Sequence, residues 1–135
     1  MSQVECRLAK IVMSESHDSQ VIVLQEVDGD RKFSILIGFF EVFAIHRFVN
    51  GDKPMRPLTH ELIGNIMESL DVRIERVVVN DLRDKTYYAR LVLKADGVIV
   101  DVDSRPSDAI ALAMQAHAPI FVEEKVISEA SSEFE

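Results

Sequence analysis

The sequence predicts an α+β fold in one domain, and three observations carry that prediction. Apolar and polar residues alternate, or apolar β-branched residues cluster, at residues 4–13, 21–27 and 32–37 and again from 73 to 102, as strands require. Three other segments, at about 40–49, 60–70 and 109–116, carry apolar residues at spacings of three and four, the period of a helix. The elements fall in blocks, without the strict strand–helix alternation of a parallel α/β protein. With 135 residues and 47% hydrophobic content, the chain can bury one core and is too short for two.

Taken in order, Val4, Cys6 and Leu8 alternate with Glu5 and Arg7 to open the first strand, and residues 14–20 read as a polar loop containing a solvated His17. Residues 21–27 and 32–37 flank Asp28-Gly29-Asp30, a turn signal that makes them a hairpin. Phe40, Phe43, Ala44 and Phe48 mark the apolar face expected of a first helix, which Asn50-Gly51 stops. Pro54 and Pro57 forbid regular structure in the next segment. Thr59 then serves as the expected N-cap of a second helix with a stripe of Leu62, Ile63, Ile66, Met67 and Leu70. Strands over 73–81, 86–94 and 98–102 form an antiparallel meander, turned by residues 82–85 and by Ala95-Asp96-Gly97. Pro106 or Ser107 opens an Ala-rich helix that is too apolar for solvent and belongs against the sheet or another subunit. A short strand at 118–122 ends the domain, and residues 123–135 are expected to be an acidic, disordered tail.

Composition narrows the function classes. No apolar run reaches the roughly 20 residues of a membrane span, and Glu5, Arg7 and Lys10 interrupt the first segment, so a cytoplasmic protein is expected. Cys6 is the only cysteine, which excludes an internal disulfide or a multi-cysteine zinc site. The formal charge of −8 argues against the broad basic face of a non-specific nucleic-acid binder. Half of it sits on residues 123–135, whose five Glu and one Lys leave −4 on the rest. Phosphate-cradling glycine loops, HExxH and an aromatic–basic stacking pattern are absent from the sequence.

Two polar helix entrances hold the candidate chemistry. In the first, Arg56-Pro57-Leu58-Thr59-His60-Glu61, either Thr59 and Glu61 cap a helix and Arg56 is solvated, or His60 is a general acid, general base or metal ligand and Arg56 clamps phosphate. In the second, Asp101 and Asp103 share a strand face, about 7 Å apart in an ideal strand, and could share a cation or a proton. Alternatively Asp103 or Ser107 caps the following helix while Arg105 pairs with Asp108. Glu41, beside an apolar run, calls for a helix N-terminus or a cation such as Arg56 or Arg105.

Ile37-Gly38 with Glu41 and Ala44-Ile45, then Arg56-Pro57-Leu58-Thr59-His60-Glu61-Leu62, then Asp103-Ser104-Arg105-Pro106-Ser107-Asp108 with Ala109 to Ala113, then Ala118-Pro119-Ile120, together resemble the bifunctional nuclease family. The resemblance spans residues 4–122, and Met55 departs from it where the family more often has proline. It implies a mixed, largely antiparallel, bent sheet with three flanking helices, self-association as a homodimer, and hydrolysis of RNA and DNA with low base specificity. On that resemblance the catalytic candidates are His60, Asp103, Asp108 and Glu41, and the substrate-binding candidates are Arg56, Thr59, Arg105 and Ser107. Asp103 and Asp108 are the expected ligands of Mg2+ or Mn2+. The competing expectation is a non-catalytic oligomeric binding or scaffold module, in which both arginine–proline pairs are structural corners. A saturated, buried Arg105 would support the module, and an Arg105 lining an open cleft would count against it.

Overall fold

The computed structural model describes residues 2–14, 16 and 19–132. His17, expected in a polar loop, lies outside the described residues. The elements follow in the order β1 (Gln3–Val12), β2 (Ser19–Glu26), β3 (Lys32–Gly38), α1 (Phe39–Val49), α2 (Thr59–Ser69), β4 (Val72–Arg83), β5 (Thr86–Ala95), β6 (Val98–Ser104), α3 (Pro106–Ala116), β7 (Ile120–Glu123) and α4 (Glu124–Ser132). The α+β class holds: one domain with an open, mixed seven-stranded sheet in the order β3-β2-β1-β7-β4-β5-β6.

Two antiparallel meanders, β1–β2–β3 and β4–β5–β6, are spliced by the four-residue β7. Its Ile120 pairs with Cys6 of β1 on one side and with Val77 of β4 on the other, and the β4 pairing is parallel. Reaching β7 from the edge strand β6 takes the chain across the sheet, and α3 makes that crossing. The two turns of the β4–β5–β6 meander are tight because their residues accept positive φ. Asp84 and Lys85 sit at φ 50° and 65°, and Asp96 and Gly97 at 51° and 78°, the signature of two-residue hairpin loops matched to strand twist.

One face of the sheet carries the core. Ile22, Leu24, Ile35, Val77, Val79 and Val122 project there, two residues apart along their strands, to meet Val42 and Ile45 of α1 and the buried run Ala109 to Ala113 of α3. Small side chains let α3 lie close to both the sheet and α1, which is why its alanines are core residues. The Ala-rich helix therefore packs against the sheet, as expected.

Four sequence expectations are corrected. The residues expected to form a disordered tail instead include a fourth helix, α4, whose Val126, Ile127 and Ala130 are fully buried in the core. High Glu and Ser content concealed an i, i+1, i+4 apolar set. Arg31 anchors this helix by donating from both terminal nitrogens to Glu124, at 2.7 and 2.9 Å, while its Nε donates to Glu26. In α1 the buried face is Val42, Ala44 and Ile45, and the phenylalanines taken for that face point outward, Phe40 being 84% exposed. Leu58, which has no capping side chain, takes the N-cap position of α2 in place of Thr59. The helix start is held by Glu61, whose Oε1 accepts the Leu58 N–H at 3.0 Å. Finally, the turn expected at residues 82–85 shrinks to Asp84 and Lys85, because β4 runs on to Arg83.

Candidate functional site

The end of β6 delivers Ser104 and Arg105 to the sheet rim, and Pro106 opens α3 with Ser107 and Asp108 in its first turn. Pro106 fits there because the first helical N–H has no partner to lose. Arg105 occupies the N-cap with an extended backbone, and its carbonyl accepts from the Ala109 N–H at 3.0 Å and the Ser104 hydroxyl at 2.8 Å.

The side chain of Arg105 is the hub of the site. Its Nε and Nη2 both lie 2.9 Å from Oδ2 of Asp108, and its Nη1 donates to Oε1 of Glu41 at 3.1 Å. These bonds, that to Asp108 foremost, hold the guanidinium above its ordinary pKa, against a smaller opposing effect of burial. The other oxygen of Asp108, Oδ1, lies 3.0 Å from Nε2 of His60 at the start of α2. Glu41, Arg105, Asp108 and His60 therefore form one unbroken path across three helix N-termini. The sequence named Arg56 and Arg105 as possible partners for Glu41, and the fold selects Arg105.

Two glycines make the path possible. A Cβ at Gly38 would stand 2.2 Å from Oε2 of Glu41, so only glycine lets that carboxylate fold back over the α1 N-terminus to reach Arg105. A Cβ at Gly64 would stand 2.4 Å from Nε2 of Gln115, which donates to the main-chain oxygen of His60 at 2.9 Å. Gln115 thus ties the His60 turn to α3. Sequence reasoning passed over it, since a lone amide near a helix end has no motif.

The remaining candidates separate. Ser107 is 5% exposed and lines a cleft of about 420 Å³ beside Arg105, whereas Thr59 and Arg56 are exposed on the approach to α2. Asp103 does not join the group. It pairs across β5–β6 with Arg90, whose Nη1 lies 3.5 Å from Oδ1, and its side chain is 77% exposed. Arg90 sits between Ala89 and Leu91, both core residues, so this pair lies on the sheet face away from the helices.

These contacts also test the expected cation. Both oxygens of Asp108 already face donors, one oxygen of Glu41 does, and Asp103 lies on the opposite face of the sheet. Among the described residues, no group of three or more His, Cys, Asp or Glu side chains is placed to hold a metal ion. The residues present do not fit an Asp103–Asp108 ligand set for Mg2+ or Mn2+.

His60, at 12% exposure, can accept and return a proton through the ring nitrogen that does not face Asp108. Arg105 is 65% exposed and spends three of its five N–H donors on carboxylates, so it can still bind an anion. This exposure fits the open-cleft outcome and departs from the buried, saturated corner expected of a scaffold. Fold and geometry together define an α+β domain in which a histidine, an arginine and two carboxylates are linked by hydrogen bonds at converging helix starts. The bifunctional nuclease domain model matches residues 22–135, and the chain belongs to that family. It is also similar to two uncharacterized proteins of Mycobacterium tuberculosis, MT1877 of strain CDC 1551 / Oshkosh and Rv1829 of strain ATCC 25618 / H37Rv. Each is 36% identical over 126 residues, covering 93% of this chain and 75% of the relative.

Proposed function

We propose that the chain hydrolyses phosphodiester bonds of RNA and DNA with low base specificity, using the Glu41–Arg105–Asp108–His60 path as its active site. The observation that carries this reading is that one run of hydrogen bonds joins an acid–base group to an exposed guanidinium. With its Nε2–H donated to Asp108, His60 takes the proton of the attacking hydroxyl or water on Nδ1, Asp108 stabilises the imidazolium that forms, and the imidazolium returns that proton to the leaving oxygen as its P–O bond breaks. The free N–H groups of Arg105 meet the negative charge that grows on the phosphoryl oxygens. Glu41 keeps that guanidinium in place, and Arg56 and Thr59 bind flanking phosphate on the approach to α2. Ser107 contributes a hydroxyl from the cleft. No step passes through a metal ion, because the carboxylates do not form its ligand set.

A second feature supports self-association, as a homodimer, around the same chemistry. Met55, Leu36, Leu70 and Val98 are largely exposed, as is Phe40, an amount of bare apolar surface that a second copy would cover. Among the described residues no helix is long and apolar enough to cross a membrane, which is compatible with a cytoplasmic location.

The test is cleavage of single-stranded RNA and DNA oligonucleotides in EDTA, Mg2+ or Mn2+. Wild type should cut in EDTA, and His60→Ala should lose on the order of 100-fold or more, the scale of general acid–base catalysis. Asp103→Ala should cut within about twofold of wild type. Intact substrates in all three buffers, or a His60→Ala variant as fast as wild type, would sink the proposal. Cleavage strictly dependent on metal and abolished by Asp103→Ala would return the cation to the site.

A further inference from the structure

An acidic protein has a cleft without acid directly beside Arg105. The opening of about 420 Å³ between β3, the β4–β5 turn and the start of α3 is lined by two cations, Lys85 and Arg105, and by no carboxylate. Over the whole chain carboxylates are in excess, at a formal charge of −8. Arg105 is shared with Asp108 and Glu41, but Lys85 has no ion pair among the described residues.

Ser107 supplies the independent sign of a ligand. Its side chain lines the cleft although the residue is 5% exposed, and its hydroxyl has no hydrogen-bond partner among the described residues. The hydroxyl is not sealed away either, so it opens into the cleft. A buried hydroxyl without a partner loses free energy unless something arrives to pair with it. It stands in the first turn of α3, an 11-residue helix, where free backbone N–H groups and the helix dipole favour an anion.

The same cleft is also lined by apolar Ile35, Ile37 and Leu82 and by aromatic Tyr87, which serve as its floor. A cleft of this size falls within the roughly 300–1,000 Å³ of small-molecule sites. Inorganic phosphate would leave the floor bare, whereas a nucleotide would cover it and reach the cations as well.

We propose that this cleft is a nucleotide subsite: Ser107, Lys85 and the α3 N-terminus take the phosphate next to the scissile one, and its sugar and base lie on the apolar floor. The inference rests on the nuclease reading only for the identity of the polymer. It explains how an acidic chain holds a polyanion, by adding an unneutralised cation and a helix terminus in the cleft that Arg105 also lines, Arg105 itself being shared with two carboxylates.

The experiment is a two-dimensional 1H–15N NMR titration of the full chain with inorganic phosphate and, separately, with uridine 5′-monophosphate. Both should shift the backbone amides of Ser107, Asp108 and Lys85, the nucleotide binding at least about tenfold more tightly than phosphate. Ser107→Ala should weaken binding about tenfold, as should Lys85→Gly, where glycine accepts the φ of 65° and removes the amine without strain. Lys94→Ala, which removes an equal charge on β5 outside the cleft, should bind as wild type does. Absent cleft shifts, equal loss in Lys94→Ala, or phosphate binding as tightly as the nucleotide would each overturn the subsite. Cleft binding in a protein that cuts nothing would keep the subsite and remove the nuclease reading. Cleavage without cleft binding would do the reverse.

Discussion

Replacing Ile127 by alanine tests whether the acidic end of the chain belongs to the domain. Ile127 is fully buried, as are Val126 and Ala130 beside it. Truncation to alanine deletes three buried carbons, about 2.4 kcal/mol at roughly 0.8 kcal/mol per buried CH₂. Incomplete collapse of the resulting cavity raises the expected loss to about 3 kcal/mol, inside the range of roughly 2–5 kcal/mol for such core substitutions. A chain of this size changes its melting temperature by about 4 °C per kcal/mol, so a drop of about 12 °C should follow. Urea denaturation followed by circular dichroism gives the free energy, and thermal scans give the shift. With a whole-domain stability of roughly 5–15 kcal/mol, the variant stays folded at 25 °C and the loss can be measured. A loss below about 1 kcal/mol would mean that α4 does not pack as described, and the expectation of a disordered tail would return.

Gly38→Ala should push the Glu41 carboxylate off Arg105, lowering cleavage about tenfold. It should cost no more than about 1 kcal/mol in urea, since the pair is partly exposed; unchanged cleavage would refute the role given to Glu41. The Arg31 clamp makes stability fall in acid. Hydrogen bonds from Arg31 hold Glu26 and Glu124 below their ordinary 4.5. Their contribution is therefore complete above that value and disappears as pH falls through the lower folded values. The urea midpoint should drop below about pH 4.5 in wild type and less steeply in Arg31→Ala, and equal slopes would refute the clamp. Burial, with the charge of Glu26 behind it, pushes the Cys6 thiol up to about 11. At pH 8 iodoacetamide should therefore label it slowly in the folded protein and readily in urea; equal rates would show that the thiol is accessible.

Much of the fold was legible because local periodicity reports local burial. Seven strands, three helices and both polar helix entrances could be read from alternation, turn residues and proline positions. Periodicity misled where a stripe has two apolar sides: in α1 the large phenylalanines outweighed Val42 and Ile45, although the latter face the sheet. It also misled where charge hides a short apolar set, as in α4.

The candidate site divides along the same line. By itself, the sequence determined which groups stand at which helix starts: His60 at one, Arg105 and Asp108 at another, Glu41 at a third. Partner choice was decided by the tertiary structure, because hydrogen bonds across 48 and 64 residues depend on how α1, α2 and α3 converge, and no spacing rule encodes that. The same convergence excluded Asp103, which strand pairing turns to Arg90 on the far face of the sheet. It also brought in Lys85, an ordinary turn residue in sequence that becomes a cation of the cleft only when the β4–β5 hairpin folds beside α3.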